Sequence, residues 1–285
     1  MGPLALLGCL CGPLGCGVQS TDTATRDATL VAQDMQVAAP RDGTVAGILI
    51  AQGGNPDTAR YELVANGQRG TAALLDPLTG TFSYTATSGQ LGFDTFTFRL
   101  HDGTRVSNVA SVEVAITDDG VAGLLTYDFV PTRCDAFACQ LDYAQTVARP
   151  IRHAVVRLVD DSSQAILSET FSDEAGRYLF ARSSAPRLQV VVMAEMREPP
   201  VVVRNNTDTG EPTYALVSDS VDVAEGRIVN LNAPSGWDGK RYAAVRSAAP
   251  FAILDVAYRA AAAYAAVRPI TFAPLIIDWS TDNRP

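Results

Sequence analysis

The feature that most constrains this chain is strict alternation. Phe82 and Tyr84 alternate with Thr81, Ser83 and Thr85. Phe96, Phe98 and Leu100 alternate with Thr97 and Arg99, and Val112, Val114 and Ile116 with Ser111 and Glu113. A period of two turns one set of side chains to a core and the other to water, as a half-buried strand requires. Asp42-Gly43, Asn66-Gly67 and Asp102-Gly103 punctuate these runs and supply the positive φ of tight turns. Many short strands at this spacing predict a sandwich of two sheets over residues 30–118.

The same stretch carries a resemblance. Asp76-Pro77-Leu78-Thr79-Gly80-Thr81-Phe82-Ser83-Tyr84-Thr85 precedes Gly92-Phe93-Asp94-Thr95-Phe96-Thr97-Phe98, and Asp102-Gly103 and Ser107-Asn108 follow. This order resembles the bacterial cadherin-like, immunoglobulin-type repeats, which read G-x-F-x-Y-T, G-x-D-x-F-x-[FY], D-G and S-N. The resemblance implies a β-sandwich used for adhesion or spacing.

Asp118-Asp119-Gly120 marks a turn and a boundary, and a second β unit is expected over 119–235. Pro150 leads into Ala154-Val155-Val156-Arg157-Leu158, and Ser172-Asp173-Glu174-Ala175-Gly176-Arg177-Tyr178-Leu179-Phe180 reads as turn and strand. Leu188 to Ala194 is apolar but for Gln189, which predicts a strand buried on both faces. The run from Ala148 to Phe180 is similar to carboxypeptidase regulatory-like domains, which share [ST]-D-x-x-G-x-[YF]-x-F. That similarity implies a transthyretin-like sandwich without catalytic residues of its own. The expected class is therefore all-β, with two consecutive sandwiches.

Residues 236–285 change character. Phe251, Leu254, Tyr258, Ala261 and Ala265 follow helical spacing, with Ser247 as the expected cap and Asp255 and Arg259 four apart on a polar side. Pro269 ends the helix, and Phe272 to Ser280 reads as one strand. This helix and strand read as the opening of a further domain. The tail resembles the segment preceding the metallopeptidase-like region of large bacterial surface proteins.

Composition narrows function. The 285 residues carry a formal net charge of -9 with scattered Lys and Arg, which disfavours nucleic acid as a partner. Met1 to Cys9 is apolar and rich in small residues, like the end of an export signal, and Leu6-Leu7-Gly8-Cys9 resembles a bacterial lipobox. Cys9 and Cys16 are the lipidation candidates, residues 1–16 the signal remnant and 17–29 a flexible tether. Contact with a membrane is expected only through that anchor. In an exported chain the nearby Cys134 and Cys139 are expected to form a disulfide rather than a zinc site, which needs about four ligands.

Chemistry is sparse. No H-E-x-x-H and no phosphate loop occurs, and His101 and His153 read as surface or sheet-edge residues. The acid pairs Asp118-Asp119, Asp160-Asp161 and Asp173-Glu174 read as solvated turns. Calcium is the one cofactor left open, with Asp57, Asp94, Asp118 and Asp119 as candidate ligands. Trp237 and Trp279 with Tyr242 and Tyr258 could line a carbohydrate or peptide groove, though core packing is the plainer reading. The expectation is a non-catalytic adhesion, scaffold or spacer module of an exported bacterial lipoprotein, at the cell surface or outer membrane. Its partner there would be protein or carbohydrate. The alternatives are the accessory region of a secreted zinc metallopeptidase and a calcium-dependent adhesin.

Overall fold

A computed structural model of the chain describes residues 29–283 except 104, 136–137, 184 and 223–226. The protein is all-β, with the described strands divided between two bodies. The first body holds β1 (Val31–Ala32), β2 (Met35–Pro40), β3 (Thr44–Ile48), β4 (Ala51–Gln52), β5 (Arg60–Ala65), β6 (Gly70–Asp76), β7 (Thr81–Ala86), β8 (Gly92–Asp102), β9 (Arg105–Val106) and β10 (Ala110–Thr117). One sheet runs β2-β10-β8-β5, with β9 on β8; the other runs β3-β7-β6. β2 lies parallel to β10, while β10 with β8 and β8 with β5 pair antiparallel.

The alternating residues meet between these sheets. Phe82 and Tyr84 on β7 face Phe96 and Phe98 on β8, with Val112, Val114 and Ile116 on β10; all are fully buried. The Phe82 and Phe96 rings sit edge to face at 5.3 Å, and Tyr84 stacks on Phe96 at 6.1 Å. Burying one such aromatic side chain contributes about 1.5–3 kcal/mol, so these strands hold the first body together.

The motif residues of the repeat hold its corners. Asp94 is buried, and its carboxylate accepts from the Tyr84 hydroxyl at 2.6 Å and from the backbone N–H groups of Gln68 and Arg69. A side chain at Gly67 would collide with that carboxylate, and one at Gly70 with the Tyr84 ring. Asp102 closes the opposite end of β8, accepting from Asn55 N–H, Thr58 and Arg105. Asn108 pins β1 through both the N–H and the carbonyl of Ala32.

The second body holds β11 (Val121–Phe129), β12 (Thr132–Cys134), β13 (Cys139–Leu141), β14 (Val147–Pro150), β15 (Ala154–Asp160), β16 (Ile166–Phe171), β17 (Arg177–Phe180), β18 (Arg187–Arg197), β19 (Pro200–Arg204), β20 (Ala215–Val217), β21 (Val221–Asp222), β22 (Arg227–Ile228) and β23 (Leu231–Ala233). The helix α1 (Ala248–Ala265) and β24 (Leu275–Asp278) complete it. One sheet is β14-β11-β17 with β22 and β23 parallel to β11; the other runs β16-β15-β18-β19-β24, with β20 and β21 on β18.

The S-D-x-x-G segment is a turn with a structural purpose. Asp173 accepts from the N–H groups of Ala175 and Arg177 and from the Arg177 guanidinium, while Gly176 takes φ 80°. The turn delivers Tyr178 and Phe180 into the core. β18 differs from its reading: Leu188, Val190, Val192 and Ala194 are buried, but Gln189, Val191 and Met193 are only half-buried. The strand is therefore more sealed on one face than on the other.

The tail also differs from its reading. Rather than standing apart, 248–278 is built into the second body. Ala248, Phe251 and Leu254 join the same core as Val121, Leu125 and Val203, and β24 pairs in parallel with β19. The physical reason is the apolar stripe of α1, which finds its cover on β11, β18 and β19. Ser247 makes no side-chain cap; the Ala248 N–H donates instead to the Pro234 carbonyl.

Candidate functional site

The residues singled out in the sequence do not converge. Cys9 and Cys16 lie outside the described residues. Cys134 and Cys139 are joined by a disulfide across the β12–β13 hairpin. Among the described residues no group of three or more His, Cys, Asp or Glu side chains could hold a metal ion. Asp57 is exposed on the loop whose Asn55 and Thr58 are held by Asp102, at the far end of β8 from Asp94. Asp94 and Asp102 stand eight positions apart along β8, about 26 Å.

Asp94 is occupied by its turn. Burial pushes its carboxyl up, but the donations from Tyr84, Gln68 and Arg69 outweigh this and hold it below the ordinary carboxylate range. Asp118 already meets Arg41 at 2.9 Å and Arg182 at 3.2 Å. Asp119 is exposed, in the left-handed region at φ 53°. Asp160 likewise serves a turn: the hydroxyls and N–H groups of Ser162 and Ser163 bring its carboxyl down to about 2. His101 and His153 each face a carboxylate, Glu62 and Glu174 respectively.

Two features do have shape. The first is the junction between the bodies. β10 passes into β11 through Asp118-Asp119-Gly120, and a side chain at Gly120 would strike the Phe180 carbonyl. The Asp118 N–H donates to the Ala181 carbonyl at 2.8 Å. Arg177 of the second body meets Glu113 of the first at 3.1 Å, its guanidinium 5.1 Å from the Phe93 ring. Asn230 donates to Gln36, which itself donates to Glu113. The two bodies are thus tied at several points around a short link.

The second is an aromatic cleft at the start of α1. The turn Trp237-Asp238-Gly239-Lys240-Arg241-Tyr242 is closed by Asp238, whose carboxylate accepts the N–H groups of Lys240 and Arg241. It presents a ring at each end. Trp237 stacks on Tyr143 at 4.1 Å, and Tyr242 meets both edge-on while its hydroxyl bonds that of Tyr143. The Arg246 guanidinium lies 4.0 Å over Tyr242 and 5.9 Å from Trp279. Trp279 packs on Tyr214, whose hydroxyl donates to the Trp279 carbonyl.

This arrangement partly revises the sequence reading of the aromatics. Trp237, Tyr242 and Trp279 share one surface and are half-buried or exposed rather than sealed in the core. Tyr258 lies elsewhere, against His153 and Glu174. Tyr143, Tyr214 and Arg246 went unread because only tertiary packing brings chain positions so far apart together. The one local signal was Trp and Tyr flanking a D-G turn.

The first body is an immunoglobulin-like β-sandwich by its sheet order and its corners. Residues 23–115 match the family described as "Bacterial Ig domain". No curated protein sequence matches the chain. Among solved structures, the chain is similar to human protocadherin-24 EC1-2, at 12% identity over 71% of this chain and 100% of that one, with a TM-score of 0.25. It is similar to BcpA, the major pilin subunit of Bacillus cereus, at 12% identity over 72% of this chain and 69% of that one, TM-score 0.22. A putative alpha-galactosidase from Bacteroides fragilis is 15% identical over 33% of this chain, TM-score 0.26, and the chain spans 19% of that protein's length.

Proposed function

We propose that this chain is a non-catalytic module of an exported bacterial surface protein, in which two sandwiches joined as one stiff unit stand a binding surface away from the cell. The observation that carries this reading is the junction. A three-residue link clasped by Arg41, Arg182 and Arg177 against Asp118 and Glu113 leaves little room for independent rotation. The bacterial immunoglobulin-domain match over residues 23–115 supports a surface setting. A lipid on Cys9 or Cys16 would supply the anchor, and binding would run through loops and sheet edges. The carboxypeptidase regulatory-like character of the second body belongs to this proposal, and so does service beside a peptidase domain.

The test is alignment of the whole chain in a dilute liquid crystal. Residual dipolar couplings from both bodies should fit one alignment tensor. Two tensors of different magnitude would overturn the spacer reading.

A further inference from the structure

Asn205, Tyr214, Arg246, Phe251, Trp279 and Asp282 surround a cavity of about 220 Å³ where α1 begins. Its size is below the about 300–1,000 Å³ of pockets that enclose drug-sized ligands, so it admits one ring or one side chain. One wall is aromatic. The other carries polar groups with spare bonding capacity. The Asn205 side-chain Oδ1 is taken by Thr207, and among the described residues its amide nitrogen donates no hydrogen bond. The Arg246 guanidinium is held by ring faces, and among the described residues its in-plane N–H groups donate no hydrogen bond. Asp282 is exposed, and among the described residues its carboxylate accepts no hydrogen bond.

We propose that this cleft binds one ring of a neutral carbohydrate, its C–H face on Trp279 and its hydroxyls between Arg246, Asn205 and Asp282. An apolar peptide side chain would desolvate these three groups and pair none of them, which is costly. A carboxylate ligand that suited Arg246 would meet Asp282. A sugar hydroxyl both donates and accepts, so a hydroxylated ring matches a wall holding two donors and one acceptor. The inference deepens the surface reading, on which it rests only for access to glycans outside the cell.

Saturation-transfer NMR on the whole chain tests it, with the methyl glycosides of glucose, galactose, mannose and N-acetylglucosamine, and a proline-rich peptide as the rival probe. Transfer to the ring C–H protons of at least one glycoside is expected, with a Kd on the order of a millimolar. Trp279→Ala should abolish it. Arg246→Ala and Asp282→Ala should each weaken it about tenfold. Asp282 is exposed, so its variant keeps the fold and decides the matter should Trp279→Ala unfold. Absence of transfer from all four glycosides, binding unchanged in Asp282→Ala and Arg246→Ala, or binding of the peptide alone would overturn the proposal. Dipolar couplings on the same sample report the stiffness of the two bodies separately, so failure of sugar binding is distinguishable from failure of the spacer reading.

Discussion

Asp94 in the first body and Asp255 in the second are both buried carboxylates, 7% and 4% exposed, and they are satisfied in opposite ways. Asp94 takes its donors at shorter range: Tyr84 is ten positions away, and Gln68 and Arg69, 26 and 25 positions away, lie on the turn that the Asn66-Gly67 pair opens. Asp255 takes its donors from remote chain. Tyr127 donates to it at 2.9 Å across 128 positions, and Arg152 at 2.5 Å across 103. Asp255, read with Arg259 as lying on a polar side of the helix, is instead buried, and Arg259 one turn on is exposed. The first carboxylate closes a loop, while the second clamps a helix onto a sandwich. A buried acid can therefore belong to a local motif or to global packing, and its sequence neighbourhood reveals only the first kind.

The largest expected effect breaks the remote clamp. Arg152→Ala leaves Asp255 buried with only Tyr127, and should cost the second body about 3 kcal/mol. The chain's two tryptophans, Trp237 and Trp279, both lie in that body, so urea unfolding followed by tryptophan fluorescence reports it. An unchanged midpoint would mean that α1 docks by its apolar stripe alone.

Next comes the local corner. Asp94→Ala strands two backbone donors and the Tyr84 hydroxyl, and should cost the first body about 2 kcal/mol. Tyr84→Phe should cost somewhat less, about 1.5 kcal/mol, since it removes one donor to a charged group. Neither should move the tryptophan transition if the bodies unfold separately. Movement of that transition by the same amount would show that the junction couples them into one cooperative unit.

The pH dependence follows in size. Asp94 is held below its unfolded value of 3.8, so its contribution is complete above that value and is lost as pH falls through the lower folded value. Acid titration of stability in Tyr84→Phe should be shallower there than in the parent, because one of the groups lowering Asp94 is gone. At the other extreme, burial and then the Asp255 hydrogen bond push Tyr127 up to about 12. Its contribution is complete below pH 10 and is lost as the medium rises through that interval. Far-ultraviolet circular dichroism against urea at each pH checks both limbs, and a parent with a flat acid limb would remove Asp94 from the account.

The smallest effect concerns the junction. Arg177 and Glu113 are partly exposed, so Glu113→Ala should cost only about 0.5 kcal/mol. Its signature should instead appear in the dipolar couplings, as a widened spread between the two bodies. Couplings identical to the parent's would place the stiffness in the remaining ties, the Asp118-to-Ala181 link, Arg182 on Asp118 and Asn230 on Gln36.

Much of the first body was legible. Phe82, Tyr84, Phe96 and Phe98 announced their faces by period, while Asp94 was marked only by the repeat resemblance and its part in closing the Asn66-Gly67 turn came from the structure. In the second body the D-x-x-G turn at Asp173 was equally plain. The calcium reading joined the linker acids Asp118 and Asp119 to Asp57 and Asp94, because hard cations take oxygen ligands from loops between β domains. Position in the chain does not tell which carboxylates the fold has already paired with N–H groups and guanidinium ions, as it has Asp94 and Asp118. The helix was legible as a helix, but the place where it docks was not.

Sequence by itself determined the alternating strands of the first body, the Asp173 turn and the Cys134–Cys139 pairing, because these depend on residues a few positions apart. Tertiary structure alone decided that α1 and β24 close the second body, that Asp255 is an internal anchor, and that Trp279, Arg246 and Asn205 share a cleft. Those outcomes depend on which surfaces meet at distances of many strands. Apolar area can drive such a meeting but cannot specify it, since burial stabilises any sufficiently complementary contact.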